Sequence, residues 1–185
     1  MEQIIIQPSR VMEERSSSNF IEANTKQVSM KHLSRDTIIP VFSKDNECTI
    51  SHPDFIRTTR EAIANVFGGK IMDKPDIRVS HIVKGRIPSA IGKPAKELLP
   101  HEKTIYYERM AFTIELPEIR HNVNGNLLGL TIGGVRAYNH ENLFSKKSME
   151  KFKVFIGFKN MVCTNLCIST DGYKEELRAS NTSQL

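Results

Sequence analysis

The stretch TIYYERMAFTIELPEIRHNVNGNLLGLTIGGVRAY, residues 104–138, decides the fold. From Thr104 to Leu116 an extended chain puts Tyr106, Met110, Phe112, Ile114 and Leu116 on one face and Ile105, Tyr107, Arg109, Ala111, Thr113 and Glu115 on the other. An apolar face backed by a mixed one suits a sheet covered by a helix on one side only. Asn124-Gly125, inside NVNGN at 122–126, is a two-residue hairpin signal, because both residue types tolerate the positive φ that such a turn needs. The turn hands the chain to LLGLTIGGVRAY as the partner strand. Gly133 and Gly134 in that partner predict a bulge or a close approach of backbone.

Downstream, 131–172 gathers glycines, basic residues, aromatics and two of the three cysteines. Phe152, Val154, Ile156 and Phe158 share one face of a further half-buried strand, and Lys151, Lys153, Phe155 and Lys159 share the other. One side is core and the other a lysine-bearing surface. Upstream, the clearest helix runs from about Pro53 to Phe67. Ser51 stands as its N-cap, Asp54 completes a capping box and Pro53 suits the first turn. Phe55, Ile56, Ile63, Val66 and Phe67 form one apolar stripe, Arg57, Arg60 and Glu61 face elsewhere, and Gly68-Gly69 ends the helix.

Asp76 to Lys84 reads as a strand and Ser29 to Arg35 as a short helical turn. IIPVF at 38–42 carries Pro40 and, as a strand, belongs at an edge or a bulge. GRIPSAIGKPAKELLPHEK, 85–103, is broken by five glycines and prolines and reads as a long basic connection with one helical turn at Ala95 to Leu99. Long connections are often functional, so it is a second place to look for binding. The sum is an α+β fold: a largely antiparallel sheet with the 53–67 helix packed on it. The expected organisation is a disordered N-terminal tail at 1–18, a single domain at 19–173 and a polar C-terminal tail at 174–185.

A chain of 185 residues with 39% hydrophobic and 25% charged content is that of one ordinary globular domain. IIIQP near the start is too short for a signal-peptide core, and no apolar run reaches the ~20 residues of a membrane span, so a cytoplasmic protein without membrane contact is expected. Three cysteines, an odd number, argue for free thiols in a reducing compartment. The net charge of +5 is unevenly spread. Lys74 to Lys96 carries +5 and Thr131 to Asn160 carries +4, leaving the remainder at −4. A sheet that brought those two segments together would present a basic surface.

The run GGVRAYNHENLFSKKSMEKFKVFIGF, followed by VCTNLCISTDGYK, resembles an uncharacterised family of Bacteroides-type genomes. SSSNFIEAN, IIPVFSKDNECTISH, DIRVSHIVKGRIP and KTIYYERMAF resemble the same family, so the likeness covers roughly residues 16 to 178. The family is a domain of unknown function, and the resemblance implies no activity or catalytic residue. More remotely, the NHEN turn and the strand ending in VCTN are similar to a phage and plasmid domain of unknown function with asparagine-histidine-aspartate and cysteine-threonine-asparagine motifs. That likeness implies a mobile-element setting.

Chemistry is sparsely signalled. Gly129, Gly133 and Gly134 match neither a dinucleotide fingerprint nor a P-loop. Cys163 and Cys167 lie about 13 Å apart on an extended strand, beyond disulfide reach and awkward for one metal. His140 and His81 add no zinc spacing to them, so no metal and no cofactor are expected. Cys163 with His140 as base, oriented by Glu141 or Asn139, has the residue types of a cysteine nucleophile; the plainer reading is a turn satisfying its own backbone.

The basic face points elsewhere. Arg136, Lys146, Lys147, Lys151, Lys153 and Lys159, with Lys84 and Arg86 from the long connection, offer phosphate contacts, and Phe155 a surface for stacking. The leading expectation is a mobile-element accessory protein that binds single-stranded nucleic acid with little sequence preference. The alternatives are a non-catalytic accessory or counter-defence module for an acidic protein partner, and a cysteine-dependent enzyme. Oligomeric state stays open.

Overall fold

The computed structural model describes residues 24–37, 49–138, 149–160 and 173–185, with the backbone alone at 159 and 160. Six strands, Lys26–Gln27 (β1), Asp76–Arg86 (β2), Lys103–Val123 (β3), Asn126–Ala137 (β4), Glu150–Asn160 (β5) and Tyr173–Ala179 (β6), form one sheet in chain order. Every pairing is antiparallel and joins sequence neighbours. Two helices accompany it among the described residues, Met30–Arg35 (α1) and His52–Phe67 (α2). The α+β class expected from the alternating pattern is the observed one.

Local chemistry sets each boundary. Asn124 at φ 51 and Gly125 at φ 81 make the tight turn between β3 and β4. Ser51 accepts from the Asp54 amide at 3.1 Å while the Asp54 carboxylate accepts from the Ser51 amide at 3.3 Å, a reciprocal cap on α2. Gly68, left-handed at φ 60, ends that helix. Ser29 caps α1 through the His32 amide at 3.1 Å. The bulge falls at 117–119, since Leu116 faces Leu130 and Arg120 faces Gly129. Pro117 starts that bulge, where its missing N–H costs the ladder nothing.

The glycine pair has a different use. The β4 register is unbroken at Gly133 and Gly134 with both neighbours. On the helix-facing side a Cβ on Gly134 would lie 2.5 Å from Phe55 Cζ and 2.8 Å from Phe112 Cε1. On the outer side the Phe155 ring lies against Gly133. Each glycine therefore admits an aromatic ring to one face of the sheet, the close approach that the sequence implied. Phe55 meets Phe112 edge-on at 5.3 Å and Phe152 at 4.9 Å.

With Ile56, Ile63, Ile77, Val79, Met110, Ile114, Leu116 and Ile132, these rings make the core between α2 and the sheet. Each such side chain, fully buried, contributes about 1.5–3 kcal/mol. Val66 is 75% exposed, so it leaves the expected stripe, and His52 and Pro53 join the buried face instead.

Two stretches differ from expectation. Residues 174–185 are not a tail: β6 pairs with β5 from Glu150↔Ala179 to Ile156↔Tyr173, Ala179 is buried, and Leu177 and Leu185 pack on the core. The 85–103 connection has short 3₁₀ turns at Pro88–Ala90 and Pro100–Glu102, and where one helical turn was expected, Ala95 to Leu99, a turn closed by the Glu97 amide donating to the Pro94 carbonyl at 3.0 Å. The N-terminal 1–18, IIPVF at 38–42, all three cysteines, the NHEN turn with His140, Lys146 and Lys147 lie outside the described residues.

Candidate functional site

Alternation along β3 to β6 sends Arg109, Val135, Ala137, Lys151, Lys153, Phe155, Lys174, Glu176 and Arg178 to the outer face. Register then gathers them across strands that are distant in sequence. Lys153 pairs with both Val135 and Glu176, Lys151 with Arg178, and Phe155 with Gly133 and Lys174. Arg109 pairs with Ala137, which falls level with Lys151 when the β4–β5 register is continued. Arg109 and Lys151 are thus two strands apart, about 10 Å.

Between them lies a groove of ≈ 430 Å³ lined by Arg109, Val135, Ala137, Lys151, Lys153 and Glu176, with Arg136 contributing main chain. Val135 and Ala137 are its apolar floor and Glu176 its one carboxylate, 3.3 Å from Arg178. Val135, Arg109 and Lys153 are exposed, so this part of the sheet stands open among the described residues.

Arg136 was expected on that basic surface and lies on the opposite one. Its position shares the parity of Gly134, Ile132 and Leu130, so its side chain enters the core and is 1% exposed overall. The guanidinium lies between the rings of Tyr138 and Phe152, 4.4 Å from each centroid, and donates to the Glu150 carboxylate and the Ile50 carbonyl. Glu150 in turn accepts from the Ile50 amide at 3.1 Å. Ile50, just ahead of α2, is therefore held at both its main-chain polar atoms, the amide by Glu150 of β5 and the carbonyl by Arg136 of β4. This arginine positions the helix rather than a ligand.

Among the described residues, Lys84 and Arg86 do not join this face. Lys84 is exposed on β2 opposite Ile105, four residues beyond Ser80 and three strands from β5, which puts it roughly 20 Å from Lys151. Arg86 donates to the carbonyls of Ile91 and Lys93 and folds the connection onto itself. Lys93 pairs with Glu102, whose carboxyl is held below the usual range by the Lys93 hydrogen bond and then by the Leu99 amide. Lys159 stands opposite Gly129 on β5, and its side chain lies outside the described residues.

His52, the first residue of α2, is buried near Arg136. Its Nε2 bonds the Tyr107 carbonyl at 2.9 Å, its ring stacks on Tyr138 at 4.4 Å, and Nδ1 has no hydrogen-bond partner among the described residues. Burial, then the neighbouring Arg136 charge, lower its pKa from 6.5 to about 3, against a raising contribution from the Tyr107 hydrogen bond. Between those values the unfolded chain takes up a proton that the fold excludes, so stability falls as the pH falls through this window. Moving from pH 7.5 to 5 should cost about 2 kcal/mol through this residue. Urea titrations at both pH values check it. His52→Gln keeps a donor for the Tyr107 carbonyl and cannot titrate, so its loss on acidification should be smaller by that amount; an equal loss in both proteins would exclude His52 as the cause.

The sequence named Lys151, Lys153 and Phe155 on the outer face and missed Arg109, Lys174, Glu176 and Arg178 beside them. Lys174, Glu176 and Arg178 carry the two-residue spacing of a strand face, a signal available once 173–179 is read as a strand. Among the described residues no three His, Cys, Asp or Glu side chains gather to hold a metal, and no helix is long and apolar enough to cross a membrane. A family model described as "Domain of unknown function, B. Theta Gene description (DUF3871)" matches residues 1–185. No curated protein and no solved structure matches the chain.

Proposed function

The chain belongs to this family of unknown function, and from that premise, which supplies no activity, we propose that it is a binding protein for single-stranded nucleic acid, acting through the outer face of its sheet. The observation that carries this reading is the groove on β4, β5 and β6, where Arg109, Lys151 and Lys153 surround an apolar floor. Lys174 and Arg178 extend the positive charge along β6. A row of cations about 5–10 Å apart suits the phosphates of an extended strand. Phe155, half-buried with its ring laid on Gly133, supplies a flat apolar surface within the same face, where a base can stack. An accessory role in a mobile element is the setting we attach to it, supported by the remote likeness of the NHEN and VCTN motifs.

Replacing Lys151 and Lys153 together by Glu should abolish binding of a labelled oligonucleotide, measured by fluorescence anisotropy at low salt. In the wild type log affinity should fall linearly with log salt, with about 0.7 lost from the slope for each phosphate contact removed. Glu at 153 would face Glu176 across the β5–β6 pair, a repulsion of about 0.2–1 kcal/mol that is too small to unfold the chain. Circular dichroism should show the fold kept. No binding by the wild type, or equal binding by the double variant, removes the nucleic-acid reading and leaves an acidic protein surface as the partner for these cations.

A further inference from the structure

A site built only to hold phosphates gains nothing from a carboxylate, because a negative charge within the cationic cluster repels the ligand. Glu176 nevertheless lines the groove beside Arg109, Lys151 and Lys153. It is held there by Arg178 at 3.3 Å along its own strand, and Lys153 is its register neighbour on β5. An ionised carboxylate has about four acceptor positions and no donor. Among the described residues its one bonded partner, Arg178 at 3.3 Å, leaves room for a further donor from the groove.

The floor beneath, Val135 and Ala137, is apolar and stands between this acceptor and the guanidinium of Arg109. The groove volume, ≈ 430 Å³, falls within the range of clefts that enclose a small ligand. The lining thus combines cations for a phosphate, an apolar platform for a ring and one acceptor for an N–H.

We propose that this groove is a base-reading subsite in which Glu176 accepts from the exocyclic amino group of a nucleobase. The ring lies over Val135 and Ala137, and Arg109 and Lys151 take the adjoining phosphate. The inference rests on the nucleic-acid reading above and adds a preference to it: amino-bearing bases over thymine and uracil. Carboxylate side chains accept from the cytosine amino group in the same manner when proteins read duplex DNA. Thymine places a carbonyl oxygen where cytosine has its amino group, and that oxygen would face the carboxylate with no proton between them. The preference is local to one nucleotide, so binding elsewhere along the strand stays sequence-tolerant.

The test compares oligo(dC) with oligo(dT) of equal length at pH 7.5 and fixed salt, by anisotropy, on the wild-type chain and on Glu176→Gln. These probes match in charge and ring size; they differ at C4, an amino group in cytosine and a carbonyl in thymine, at N3, protonated only in thymine, and at the thymine C5 methyl. The wild type should bind oligo(dC) roughly tenfold more tightly, the scale of one good base contact. Glu176→Gln should bring the two within about twofold, chiefly by binding oligo(dT) better, since its amide can donate to the thymine carbonyl and no longer repels phosphate. Equal wild-type affinity for both probes overturns the subsite and leaves the nucleic-acid reading standing. A preference that survives in Glu176→Gln overturns Glu176 as the reader. Failure of the wild type to bind either probe removes the underlying reading, and the subsite falls with it.

Discussion

Glu150→Ala should lower the free energy of unfolding by about 3–5 kcal/mol, measured by urea denaturation at neutral pH. The guanidinium of Arg136 has no solvent exposure of its own, and Glu150 supplies a carboxylate partner. Removing that carboxylate leaves a charge in a medium where water cannot compensate it. The same carboxylate accepts from the Ile50 amide, so a buried backbone donor is released as well. Folded domains hold only about 5–15 kcal/mol in total, and a loss of this size leaves many chains unfolded at modest temperature.

Adding Arg136→Met to Glu150→Ala should recover much of the loss, because an apolar side chain between the Tyr138 and Phe152 rings carries no charge to compensate. Glu150→Ala within 1 kcal/mol of the wild type would mean that this pair does not hold α2 in place.

Gly134→Val should cost about 3 kcal/mol, at the upper end of what overpacked cores suffer. For a chain of this size that is a fall of about 10 °C in Tm, read by circular dichroism. A first added carbon already meets Phe55 at 2.5 Å and Phe112 at 2.8 Å, and valine adds two more atoms. Phe55 belongs to α2 and Phe112 to the centre of β3, so neither ring can turn aside without lifting the helix or bending the sheet. Phe55→Leu should restore part of the stability of Gly134→Ala by vacating the ring's volume. An unchanged Tm in Gly134→Val would show that α2 is not seated on this glycine.

How far these features can be read from residues alone depends on the range of the interaction behind them. The caps of α2 lie within a few residues of each other, Ser51 with Asp54 and Gly68 at the far end, and so stand out in the sequence. The β3–β4 turn is equally local in Asn124-Gly125. Arg136 shares the parity of Ile132 and Gly134, yet its charge alone points outward; what turns it inward is Glu150, 14 residues on, and the carbonyl of Ile50, 86 residues away.

β6 reads as a tail because an edge strand needs few apolar residues. Only Leu177 and Ala179 of KEELRA face the core strongly enough to show, and the charges between them look like a tail. The groove was not legible at all as a unit. Its lining comes from β3, β4, β5 and β6, and only the register that aligns those strands makes Arg109, Lys153 and Glu176 neighbours.

In time, the two halves of this architecture separate. From β2 to β6 the strands pair only with sequence neighbours and can close hairpin by hairpin at small entropic cost, whereas β1 reaches β2 only across both helices. The bond from Ile50 to Glu150 joins residues 100 apart, so it waits until β4 and β5 are already side by side. Contacts made after the rate-limiting step leave the speed of folding almost untouched and slow the reverse reaction. Arg136 and Glu150 therefore set chiefly how long a folded molecule lasts, while the hairpins set how quickly it forms.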